Sequence, residues 1–123
     1  MGGFYGGLKG IYHPEAFGGL PVGRFIEAVQ AEGAPMSGRA YDLHHLLPLF
    51  AEGFDLYGRG RGPLTGDYRG YRPGDLPVSE AVHPNVVSFP ALIDPPPGYL
   101  DQYLDALAKV AARHRDLSGP PSS

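Results

Sequence analysis

The segment Pro21-Val-Gly-Arg-Phe-Ile-Glu-Ala-Val-Gln-Ala-Glu-Gly33 decides the fold class, because its apolar residues repeat with the period of an α-helix. At positions i, i+3, i+4 and i+7 stand Val22, Phe25, Ile26 and Val29. Such spacing places the four side chains on one face of a helix. Pro21 falls in the first turn and Gly33 just beyond the last, as is typical of helix boundaries. We predict an amphipathic helix over residues 21–32.

A second segment with helical periodicity lies towards the end of the sequence. Its apolar positions are Leu100, Tyr103, Leu104, Leu107, Val110 and Ala111. The stiff stretch Asp94-Pro-Pro-Pro-Gly98 precedes it and favours a helix start there. We expect the Leu100, Leu104, Leu107 stripe to be buried together with the stripe of the first helix. A charge at Ile26 or Leu104 is then expected to unfold the protein.

Two further segments have the composition of β-strands. Residues 4–13 contain Phe4, Tyr5, Leu8, Ile11 and Tyr12, although three glycines interrupt them. Residues 86–93 read Val-Val-Ser-Phe-Pro-Ala-Leu-Ile, and Pro90 indicates a strand that lies at an edge or ends there. The order of helices and strands predicts an α+β fold, a two-layer sandwich with a small antiparallel sheet and amphipathic helices on one face. We expect one small domain over residues 1–117 and a flexible tail over residues 118–123.

The middle of the chain is less regular. Residues 34–37 are predicted to form a short extended link, residues 44–52 a brief helix around Pro48, and residues 78–82 a helical turn. Residues 53–74 contain seven glycines and no sustained periodicity, which predicts a long irregular loop. Four arginines lie in this loop, at positions 59, 61, 69 and 72. They could bind an anionic group such as a nucleotide diphosphate, or simply keep a solvated loop polar.

Composition narrows the classes of protein that fit. The chain has 123 residues, a formal net charge of -3 and no cysteine, so thiolate sites and disulfides are excluded. A mildly acidic chain without a basic patch is not expected to bind nucleic acid. No apolar run approaches the length of a membrane span, and the first ten residues do not resemble a secretion signal. These features favour a cytoplasmic protein without a membrane partner.

The stretch Gly38-Arg-Ala-Tyr-Asp-Leu-His-His-Leu-Leu-Pro-Leu-Phe50 is the main candidate for a functional segment. It follows Pro14-Glu-Ala-Phe-Gly-Gly-Leu20 and Arg24-Phe-Ile-Glu-Ala-Val-Gln-Ala-Glu-Gly-Ala-Pro35, and precedes Asp75-Leu-Pro-Val-Ser-Glu80 and Val86-Val-Ser-Phe-Pro90. In this order the segments resemble the C-terminal small domain of the DegT/StrS-type aminotransferases. These are pyridoxal-phosphate enzymes that aminate keto sugars and keto cyclitols. The resemblance covers nearly the whole chain.

The resemblance implies which residues would face a substrate. The family pattern has matches at Tyr41, His45, Pro48 and Phe50. By this resemblance His45 would face the sugar and Tyr41 would line the same pocket. Leu47 stands where the family commonly has glutamine, and His44 where it commonly has leucine. A leucine cannot bind the hydroxyl that an amide would bind.

Catalysis in this family also needs a lysine that carries the cofactor. The chain has two lysines, Lys9 and Lys109, and neither stands in the family's lysine context. In the resembling enzymes that lysine, the acidic partner of the pyridine nitrogen and the phosphate-binding residues belong to a large domain. We therefore expect no catalytic residue in this chain and no autonomous aminotransferase activity. Pyridoxal phosphate is expected only where a large domain completes the site.

Two functions remain open at this point. The chain could be the small-domain subunit of a split aminotransferase, assembled with a separately encoded large domain. It could instead be a noncatalytic binding or structural module that self-associates. A metal site formed by the five histidines is not expected, because adjacent histidines on a helix do not converge on one ion. Asp101 and Asp105 lie at i, i+4 on the outward side of the last helix, and we assign them no chemistry.

Overall fold

The computed structural model describes residues 7–55, 57 and 68–117. The helices are α1 (Val22–Ala31), α2 (Pro48–Ala51), α3 (Pro77–Val82) and α4 (Tyr99–Ala112). The strands are β1 (Lys9–Ile11) and β2 (Val86–Ser88), and short 3-10 turns occur at Pro14–Phe17, His44–Leu46, His83–Asn85 and His114–Leu117. The predictions for residues 4–6, for half of the 53–74 loop (residues 56 and 58–67) and for the tail at 118–123 lie outside the described residues.

The chain divides into two compact units. The first, called unit 1, contains residues up to Arg39 together with those from Asn85 onward. The second, called unit 2, contains residues Ala40–Pro84. The expectation of one domain over residues 1–117 stays a prediction.

The sheet of unit 1 is small and antiparallel, as the sequence predicts. β1 pairs with β2 so that Gly10 lies opposite Val87 and Lys9 lies opposite Ser88. On the other side of β2, Ser37 forms a two-way backbone bridge with Ser88, at 3.0 and 2.7 Å. The predicted extended link at residues 34–37 thus borders the sheet. The strand at 86–93 ends before Pro90, which has no N–H for a ladder.

Helices α1 and α4 pack together and cover the inner face of this sheet. α1 begins after Pro21 and ends at Ala31, which confirms the helix predicted over residues 21–32. Its residues Phe25, Ile26 and Val29 are buried, and Val29 is fully enclosed. The same core contains Tyr12, Leu20, Ala34, Met36, Val87, Tyr103 and Val110. The α+β class is confirmed, with both long helices packed in one layer against the strands.

The predicted buried face of α4 was wrong at Leu100 and Leu104, whereas Leu107 is partly buried and packs against the core. Leu100 and Leu104 are 50% and 52% exposed, whereas Tyr103 and Val110 are buried. Two sets of positions on α4 have the spacing of one helix face. They are residues 99, 103, 106 and 110, and residues 100, 104, 107 and 111. Tyr103 favours burial of the first set. Its ring supplies a large apolar surface, and its hydroxyl donates a 2.6 Å hydrogen bond to the Pro35 carbonyl.

The described part of unit 2 has little regular structure and contains close backbone contacts. The helix predicted over residues 44–52 is divided into a 3-10 turn and the short helix α2. Leu47 separates them with extended backbone, ψ 145°, because a residue before proline avoids the helical region. Further along, Gly70 adopts φ +68° directly against the Ala51 carbonyl, where a Cβ atom would overlap the oxygen. The predicted turn at residues 78–82 is helix α3.

A candidate ligand-binding depression around His45

The side chain of His45 is nearly buried in unit 2 and contacts two other side chains. It lies in the 3-10 turn His44–Leu46, which leads directly into α2. The side chain is 6% exposed, and its Nε2 lies 2.9 Å from Oε1 of Glu80. The ring of Tyr71 meets the imidazole edge to face, with centroids 6.0 Å apart. These two partners fix the position and orientation of the imidazole.

The carboxylate of Glu80 binds backbone N–H groups as well as His45. Its carboxylate accepts hydrogen bonds from the Gly74 N–H at 2.8 and 2.9 Å, and from the Leu76 N–H at 3.3 Å. Leu76 is the N-cap residue of α3, so the carboxylate also satisfies a backbone donor that the helix leaves free. The hydrogen bond from His45, followed by that from Gly74, lowers the pKa of Glu80 from its usual value. We call the arrangement of Glu80 with His45, Gly74 and Leu76 the Glu80 clasp.

His45 lines an open depression of about 430 Å³ on the surface of unit 2. The other lining residues are Asp42, Leu43, His44, Phe50, Tyr71, Leu76 and Ser79. Leucine and aromatic side chains thus provide apolar walls, and imidazole, carboxylate and hydroxyl groups provide polar contacts. A concave, mainly apolar surface with a few fixed polar groups is typical of sites for small molecules.

The structure separates the two residues that were expected to share a pocket. His45 lines the depression, but Tyr41 is not among its lining residues and its side chain is 76% exposed. The backbone of Tyr41 is nevertheless fixed, because its carbonyl accepts a 2.8 Å hydrogen bond from Nε2 of His83. A role for Tyr41 in substrate binding stays a prediction, and the described depression gives it no part.

Glu80 was not predicted as a site residue, although it ends the segment Asp75-Leu-Pro-Val-Ser-Glu80 of the family resemblance. The available signal was the stretch from Pro77 to Glu80, in which an acidic side chain falls in the first turn of a proline-initiated helix. Such a residue caps its own helix. That it would also contact His45, which is 35 positions away in the sequence, could not be inferred from local pattern.

The two lysines do not fit a pyridoxal-phosphate site. Nζ of Lys9 donates a 2.7 Å hydrogen bond to Oγ of Ser88 on the neighbouring strand. Nζ of Lys109 forms a 2.6 Å ion pair with Glu32, which ties α4 to the end of α1. Neither lysine lines the described depression. Both lysines thus make contacts within unit 1.

The loop arginines and the possible metal ligands were the other candidate groups. Arg69 and Arg72 are exposed and do not line the depression, while Arg59 and Arg61 lie outside the described residues. Among the described residues, no three histidine, aspartate or glutamate side chains converge as a metal site would require. In the same part of the chain, no helix has the length and apolar character to cross a bilayer.

No family model, curated protein or solved structure matches this chain. The resemblance to the aminotransferase small domain therefore rests on the ordered sequence segments alone.

Proposed function

We propose that this chain is a small-domain subunit of a pyridoxal-phosphate-dependent sugar or cyclitol aminotransferase, and that a separate large-domain protein supplies the chemistry. The observation that supports this proposal is the position of His45. The residue that the resemblance assigns to the substrate is nearly buried, fixed by Glu80, and lines an open depression. A histidine that served only to fill a core would have no need of an adjoining concave surface with further polar groups.

The role assigned to the chain is binding and orientation. His45 is held by the Glu80 clasp, so a ligand would meet an imidazole that needs no further ordering, and preorganisation lowers the cost of binding. The bound cofactor supplies the electron sink for amino transfer. Both lysines of this chain make contacts within unit 1, and we therefore assign the cofactor, its lysine and the transfer steps to the partner.

Reconstitution tests this proposal. The purified chain is mixed with a large-domain protein encoded by a neighbouring gene, and transfer of the amino group from a donor amino acid to a keto sugar is measured. We expect transfer by the mixture and little by either protein alone. A large-domain protein whose activity is the same with and without the chain would refute the subunit role.

A second function is favoured by one observation on α4. Leu100 and Leu104 lie one turn apart on this helix and are about half exposed, so together they form an exposed apolar surface. A noncatalytic module that self-associates through this helix would cover them. Sedimentation of the isolated chain distinguishes the two cases: a dimer that Leu104→Asp dissociates favours the module, and a monomer at high concentration argues against it.

A further inference from the structure

The Glu80 clasp determines which nitrogen of His45 carries the proton. An ionised carboxylate has lone pairs and no proton to donate, so at 2.9 Å the Nε2 atom must be the donor. Neutral imidazole has one N–H and one lone pair, and the lone pair is then on Nδ1. His45 therefore offers a hydrogen-bond acceptor from its other nitrogen.

That second nitrogen remains accessible. Nδ1 of His45 makes no hydrogen bond with any described residue, yet no buried side-chain nitrogen or oxygen in the described part of the chain lacks a partner. Nδ1 must then reach solvent, although the side chain as a whole is only 6% exposed. We take this acceptor to face the depression, because His45 is one of its lining residues.

The carboxylate of Asp42 is a second hydrogen-bond acceptor in the depression. Asp42 lines the depression with an exposed carboxylate, which is an acceptor when ionised. No lysine or arginine is among the lining residues of the described depression. Across residues 40–84 the sequence has six carboxylates and four arginines, so this segment carries a formal net charge of -2. A lining with a carboxylate and no lysine or arginine disfavours anions and favours cations that donate hydrogen bonds.

The remaining walls favour an apolar body of moderate size. Phe50 and Tyr71 contribute aromatic rings, and Leu43 and Leu76 contribute aliphatic surface. A cation near an aromatic face gains additional attraction from the ring quadrupole. Charge, acceptor geometry and apolar walls therefore all favour the same class of ligand.

We propose that the depression binds a primary ammonium group carried on a compact apolar ring, with the ammonium donating to Nδ1 of His45 and to Asp42. Phe50 and Tyr71 contact the ring of the ligand. The inference concerns the same depression as the proposed function and takes that depression from it. Its test uses the isolated chain, whereas amino transfer requires a second protein, so the failure of one is distinguishable from the failure of the other.

The test compares three probes of the same shape: cyclohexylammonium, cyclohexanol and cyclohexanecarboxylate, each titrated at pH 7.5 into the ¹⁵N-labelled chain. We expect the ammonium to bind most tightly and the carboxylate least. The amide signals of Asp42, His45 and Tyr71 are expected to shift. Before ligand is added, the ring ¹⁵N shifts of His45 should report a proton on Nε2. A proton on Nδ1, or a carboxylate or alcohol that binds as tightly as the ammonium, would overturn the proposal.

Two variants and one control complete the test. Asp42→Asn removes the charge at an exposed position and is expected to raise the Kd of the ammonium about two- to fivefold. Glu80→Gln replaces an obligate acceptor with an amide that can also donate, so it should mix the two tautomers of His45 and weaken ammonium binding. Glu52→Gln removes an acidic side chain that does not line the depression, and should leave the Kd unchanged. Equal effects of Asp42→Asn and Glu52→Gln would contradict the assigned site.

Discussion

His45 and Glu80 form a 2.9 Å hydrogen bond across 35 positions of sequence, and this contact joins the turn before α2 to the first turn of α3. Because the imidazole is nearly buried and the carboxylate also binds two backbone N–H groups, each side chain restricts the other. The contact supports the structure of unit 2 and also sets the chemical character of the depression.

Removal of the Glu80 carboxylate should loosen unit 2. In Glu80→Ala the Gly74 and Leu76 N–H groups and Nε2 of His45 all lose their acceptor. We expect faster amide hydrogen exchange at Gly74 and Leu76, and little change at residues of α1. Glu52→Ala is the matched control. Unchanged exchange at Gly74 in Glu80→Ala would contradict the clasp.

The clasp should also depend on pH. Since its hydrogen bonds lower the pKa of Glu80 below the usual value of 4.5, the ionised carboxylate stabilises the folded state at all pH values above that value. This contribution is lost as the pH falls below 4.5 and through the lower pKa of the folded state. The protection of the Gly74 amide, taken as its exchange rate relative to the intrinsic rate at the same pH, should therefore fall over this acidic range in the wild-type chain. Glu80→Gln should show no such fall.

Burial decides which apolar positions of the two long helices tolerate a charge. Ile26→Asp places an unpaired carboxylate in the core of unit 1 and is expected to cost about 3–5 kcal/mol. Leu104→Asp places the same group on the exposed face of α4, where the change should stay within about 0.5 kcal/mol. Urea denaturation followed by circular dichroism measures both. Comparable losses in the two variants would show that Leu104 is buried.

Two glycines of unit 2 provide a matched test of backbone packing. Gly70 and Gly74 both have positive φ, +68° and +97°, so alanine is strained at each. At Gly70 the added methyl group would also overlap the Ala51 carbonyl, whereas at Gly74 it would meet open space. Gly70→Ala should therefore shift the signals of Tyr71 and Phe50 and lower stability clearly more than Gly74→Ala. Equal effects would contradict the close approach of residues 70 and 51.

Periodicity predicted the elements of unit 1 well, because their burial follows repeating positions along one helix or strand. α1, the antiparallel strands and the α+β class were all expected from such patterns. The buried face of α4 was not, since two stripes of equal spacing compete, and the hydrogen bond from Tyr103 to Pro35 that favours one of them joins distant residues.

The residues of the candidate site were likewise predicted only in part. His45 was found from a local resemblance, and the structure places it beside a depression. Glu80 was not found, because its contact with His45 depends on how the chain returns through residues 68–84. Tyr41 shares a short sequence motif with His45, but a motif does not show whether two side chains reach one surface. Local sequence therefore identified individual candidate residues, but not their contacts with residues far away in the sequence.

Amino transfer by the reconstituted pair is the most direct test of the proposed function when it is measured with His45→Gln beside His83→Gln. His83 is a second histidine of unit 2 that binds backbone and does not line the described depression. The proposal predicts that the wild-type chain and His83→Gln support transfer with a large-domain partner, and that His45→Gln raises the KM for the keto sugar at least about tenfold, as expected when a fixed polar contact to substrate is lost. Full activity with His45→Gln, or activity of the partner without this chain, would contradict it.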